Sequence, residues 1–142
     1  MESTLLGLVL DSSVLVTAER RKLTATEALG GIRNAVGDVP VVICAMTVAE
    51  LGHGIYRANT EERRQLRRRF LDALKAEVPI QPVSDRTAEI IAQIGAEQTA
   101  KGSAIPLAGL IIGACALELG YAVATSNARD FNRIPGLMVI SL

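Results

Sequence analysis

The chain has 142 residues, 49% of them hydrophobic and 3% aromatic, enough for one aliphatic core and a single domain over 1–142. Its 15 basic and 15 acidic side chains cancel, so any sign of nucleic-acid binding must come from local clustering. Cys44 and Cys115 sit in apolar runs and read as buried thiols of a reducing, cytoplasmic compartment. No signal peptide is expected, and the longest apolar segment, 105–117, is too short to span a membrane.

Residues 5–10 are an uncharged, Leu- and Val-rich run, the pattern of a strand buried on both faces. Asp11 follows at its end, then Ser12 and Ser13, either of which can cap a short helix or loop at 14–19. A helix is expected over 24–36, where Thr24 and Glu27 have the spacing of a capping box and Gly37, Asp38 and Pro40 stop it. The second strand is 41–45. Thr47 and Glu50 have capping-box spacing and open a helix over 47–56. Thr60 caps the next helix, 61–76, with Glu61 and Glu62 suiting its N-terminal dipole.

A third strand is expected at 80–83, and Ser84 caps a helix over 86–101 that Gly102 closes. A strongly apolar helix follows at 107–119, then a strand at 121–125, a polar turn at 126–131 and a last strand at 139–142. Strands alternating with helices predict a three-layer α/β/α fold, with a mainly parallel central sheet of four or five strands.

Asp11, Glu50 and Asp130 all fall just beyond predicted strand ends, where open α/β sheets bind ligands. Three carboxylates gathered there repel one another unless a cation sits between them. Magnesium takes oxygen ligands and often binds through only a few carboxylates. A bound metal can activate water and offset charge on phosphate, so a nuclease site fits. Each acid also has a plainer reading. Asp11 can cap a helix, Glu50 can complete a capping box, and Asn127 and Asp130 can shape a turn. His53, the single histidine, reads as a packing or surface residue.

Three segments carry a resemblance. LVLDSSVLV (8–16), TVAELGHGI (47–55) and GSAIPLAGLIIGACALELGYAVATSNARDF (102–131) closely resemble the successive motifs of PIN-domain ribonucleases, in the order and spacing of VapC toxins. The last segment is the most specific. It joins Gly-x-x-Ile-Pro, an Ala-rich apolar helix, a strand and Thr-x-Asn-x-x-Asp-Phe. The resemblance implies that Asp11, Glu50 and Asp130 hold magnesium or manganese and cleave RNA. It makes Ser13 the support of Asp11, and Thr125 and Asn127 the polar partners of Asp130. It further implies a protein antitoxin and a homodimer. The family pattern Ile-Pro-x-x-Asp puts another acid at position 109, where this chain has Gly109. That departure favours, as the alternative, a non-catalytic PIN domain that binds an antitoxin or RNA. An aspartyl-phosphate enzyme wants a second aspartate two residues after Asp11, and Ser13 stands there.

Arg57, Arg63, Arg64, Arg67, Arg68 and Arg69 form one basic cluster. Helical spacing puts Arg64 and Arg68 on one face, as a contact for RNA phosphates or as a solvated face paired with Glu61, Glu62 and Asp72.

Overall fold

The computed structural model describes residues 5–142, so the first four residues of the expected domain lie outside the described residues. Leu8, Val9 and Leu10 are fully buried and form β1 (Leu8–Leu10), which leads through Asp11 into α1 (Ser12–Arg20). The first strand is thus shorter than the 5–10 run, and the segment after Asp11 is helical. In α2 (Ala25–Val36), the expected capping box is complete: the Glu27 N–H donates to Thr24 Oγ1 at 3.1 Å, and the Thr24 N–H donates to Glu27 Oε1 at 2.9 Å.

β2 (Val41–Cys44) runs directly into α3 (Ala45–Arg57), followed by α4 (Glu61–Glu77) and the two-residue β3 (Ile80–Gln81). α5 (Asp85–Ala100) is capped by Ser84, as expected, with Thr87 completing a box of its own. α6 (Leu107–Leu119) ends at Gly120, whose φ of 71° is left-handed backbone that glycine adopts without strain. β4 (Ala122–Thr125), the one-turn α7 (Ala128–Phe131) and β5 (Val139–Ser141) complete the order.

The sheet order is β3-β2-β1-β4-β5, and every described pairing is parallel. Chain progression runs outward from β1 in one direction and from β4 in the other. The crevice between those two strands is therefore a topological switch point. Alternation along β1 builds two cores. Leu8 and Leu10 face the layer holding Leu15, Leu29, Leu71 and Leu74, from α1, α2 and α4. Val9 faces the layer holding Ile94, Leu110, Ile112 and Cys115, from α5 and α6. Among the described residues, no helix is long and apolar enough to cross a membrane.

Candidate active site

The switch-point crevice opens into a cavity of about 400 Å³, lined by Asp11, Ser12, Ser13, Glu50, Asn127 and Asp130 among others. The three acids expected at strand ends therefore share one cavity. Asp11 sits at the N-cap position of α1, yet its side chain caps nothing. It is only 9% exposed, and Oδ2 accepts from Ser13 Oγ at 2.7 Å and Thr125 Oγ1 at 2.9 Å. A hydroxyl has one proton to donate, so both are committed to Asp11. Their lone pairs then accept backbone N–H groups: Ser126 to Ser13 at 3.0 Å and Asn127 to Thr125 at 2.9 Å. This network ties the end of β4 to the start of α1. It fixes one carboxylate oxygen and leaves Oδ1 without a hydrogen bond among the described residues.

The expected Thr47–Glu50 capping box is not formed. α3 starts earlier, with Cys44 at the cap, and Thr47 is fully buried inside the helix, where it donates to the Leu10 carbonyl at 3.3 Å. Glu50 is thereby carried to the second turn and reaches the cavity, where it accepts from Ser12 Oγ at 3.1 Å. Burial pushes the Glu50 pKa up, the Ser12 hydrogen bond opposes that, and the Asp11 charge adds to the rise.

Asp130 comes from α7, so the expected polar turn contains a helical turn. Its carboxylate lies 3.5 Å from Arg133 Nη1, which also donates to the Ala104 carbonyl at 2.9 Å. Asn127 is exposed at the cap of α7, and its side chain makes no capping bond.

All-oxygen donors suit a hard divalent cation. Among the described residues, however, no group of three or more His, Cys, Asp or Glu side chains is gathered closely enough to hold one. A cation of the magnesium type can still bind through one or two carboxylates, with water and substrate phosphate completing its shell.

A PIN domain family model matches residues 8–137. The chain belongs to the PIN-domain family. Ribonuclease VapC of Rickettsia bellii (strain RML369-C) is 28% identical over 137 residues, 96% of this chain and 97% of that protein. Among solved structures, VapBC2 from Rickettsia felis, bound to a DNA fragment from their promoter, aligns with a TM-score of 0.80 at 20% identity. That alignment covers 96% of this chain and 98% of the other. VapBC-5 from Mycobacterium tuberculosis, a member of the VapBC family of toxin-antitoxin systems, aligns with a TM-score of 0.73 at 26% identity, covering 96% and 99%.

Against the PIN-domain pattern, Gly109 lines the cavity where the family acid is expected. It is the third residue of α6, in the first turn rather than the helix interior. Gly113, one turn on, has no room for a side chain, because a Cβ there would run into Ile134. At Gly109 the nearest atom to a Cβ is Phe131 Cζ, at 4.0 Å. Crowding explains the second glycine and not the first.

Arg64 pairs with Glu61 at 2.9 Å and Arg68 with Asp72 at 3.4 Å, both along α4, and neither lines the acid cavity. His53 is exposed. Cys44 and Cys115 are buried free thiols with Sγ atoms 2.9 Å apart, and their mutual hydrogen bond pulls the Cys44 pKa down while raising that of Cys115. Sequence reasoning missed Arg133 as the partner of Asp130, although its spacing of three is the helical-neighbour signal. It also missed Ser12 as the partner of Glu50, which only the packing of α1 on α3 brings about.

Proposed function

We propose that this PIN domain is a VapC-like toxin and a metal-dependent endoribonuclease, acting in the cytoplasm and held in check by a protein antitoxin. The observation that carries this reading is the convergence of Asp11, Glu50 and Asp130 on one cavity at the carboxyl edge of a parallel sheet. The likeness to Ribonuclease VapC and to VapBC toxin–antitoxin structures supports it. Asp11 and Asp130 would hold magnesium or manganese, with Glu50 reaching it through water or orienting the nucleophile. The bound cation would lower the pKa of water and offset charge on the phosphate.

The protein's own part is positioning. Ser13 and Thr125 hold Asp11 Oδ2, which leaves Oδ1 available to a cation. Ser12 restrains Glu50, which would orient the attacking water. Asn127, an exposed residue of the cavity lining, would hydrogen-bond substrate. Arg64 and Arg68 would contact RNA phosphates farther out, since their exposed ion pairs rearrange at little cost. A homodimer is the assembly the family resemblance implies.

Gly109 favours a second reading, a non-catalytic PIN domain that binds antitoxin or RNA. Incubation of RNA with the purified protein in manganese or magnesium decides between them. The nuclease reading predicts cleavage that is lost with chelator and with Asp11→Ala. Intact RNA under all these conditions supports the binding module.

A further inference from the structure

Beside the acid cavity lies a second one of about 220 Å³, between α1, α3 and α4. The two share Val16, Arg20 and Glu50 along their boundary. We infer that this second cavity is a subsite for an RNA phosphate flanking the one at the acids, with Arg20 as the cation that receives it. The inference rests on the ribonuclease reading above.

Charge is the first argument. Asp11, Glu50 and Asp130 repel a polyanion; a cation held by them would meet the phosphate at the acids, and a flanking phosphate needs positive charge of its own. Among the described residues lining the acid cavity, Arg20 is the one cation. It is the last residue of α1, it is exposed, and its side chain makes no hydrogen bond or close ion pair among the described residues.

The neighbouring cations are already engaged. Arg67, on the far wall, has Nε 3.3 Å from Glu19 Oε1 and donates from Nη1 to the Gly54 carbonyl at 2.6 Å. Arg133 is held by Asp130 and Ala104. Glu19 is the subsite's own acid. Burial raises its pKa; Arg67 opposes that by charge and hydrogen bond, and the Arg20 charge opposes it least. With no hydrogen bond of its own, the Arg20 guanidinium is available to a ligand anion, and its planar shape suits bidentate contact with a phosphodiester. Its position on the shared boundary fits a strand that passes from one cavity into the other.

Arg20 is a substrate-binding residue in this account and takes no part in proton transfer. The test is fluorescence anisotropy of a labelled, randomised 20-nucleotide RNA in calcium buffer across a salt series. The unsubstituted chain is compared with Arg20→Ala, Arg20→Lys and Arg86→Ala, the last an exposed α5 arginine outside both cavities. The expected result for Arg20→Ala is weaker binding, with the slope of log K against log salt reduced by about 0.7, one single-strand phosphate contact. Arg20→Lys restores the slope, and Arg86→Ala leaves it unchanged. A merely structural role for Arg20 would not move the slope. RNA binding whose slope is the same in Arg20→Ala as in the unsubstituted chain overturns the subsite and leaves the ribonuclease reading standing. A chain that binds no RNA in any of these buffers overturns both.

Discussion

At the scale of single residues, the site is organised by hydroxyl protons. Ser13 and Thr125 each have one, and both go to the same oxygen of Asp11. Thr125→Val keeps the shape of the fully buried side chain and removes that donor, together with the acceptor for the Asn127 N–H. Loss of a supporting hydrogen bond of this kind typically costs metal sites roughly 10–100-fold in affinity or activity. Manganese titration of Thr125→Val by calorimetry is expected to show a loss in that range. Glu50 gives a prediction in pH. Its folded pKa is raised above 4.5, so the unfolded chain releases the proton first as pH rises. Stability is then full below the unfolded value and falls as pH climbs through the folded one. Glu50→Gln removes that penalty. In metal-free buffer its melting temperature should exceed that of the parent at pH 7, with the gap closing toward pH 4. The places of Asp11, Asn127 and Asp130 on the cavity were legible because they fall within a few residues of strand ends. Ser12 was not, because its role depends on how α1 meets α3.

At the scale of elements, local signals worked where local chemistry decides. Thr24 and Glu27 announced the start of α2, and the box is formed as the spacing implied. Thr24→Ala is exposed and removes one cap, so a loss of about 1 kcal/mol, seen in thermal melts as a few degrees, is expected. The start of α3 was misread for a physical reason. Thr47 has cap spacing to Glu50, but its hydroxyl is buried against the Leu10 carbonyl, and the helix begins as soon as β2 ends. Tertiary contact overrode the local motif. The consequence is functional, since a Glu50 bound up in a capping box would not reach the cavity. Gly109 lies at the opposite extreme. The helical pattern of α6 was plain, yet only the three-dimensional contacts separate the crowded Gly113 from the uncrowded Gly109.

At the scale of the whole molecule, the three-layer architecture was readable because β1 is apolar on both faces and polar residues follow it at once. The strand order was not readable, because nothing local records that β4 returns beside β1. That pairing creates the crevice and brings Thr125 to Asp11 across 114 residues of chain. The core that supports it is aliphatic, and Leu74 is fully buried within it, far from the acids in sequence. Leu74→Ala should destabilise the fold by about 2–5 kcal/mol in urea titration. The central claim is that this cavity is a nuclease site short of one carboxylate. Gly109→Asp tests it most directly. The position is open, and an acid in the first turn of α6 also suits the helix dipole. RNA cleavage should be compared between the parent and Gly109→Asp in manganese, each with and without Asp11→Ala. The account predicts faster cleavage by Gly109→Asp, abolished in both backgrounds by Asp11→Ala. Equal rates for the parent and Gly109→Asp, or no cleavage by either, would contradict it.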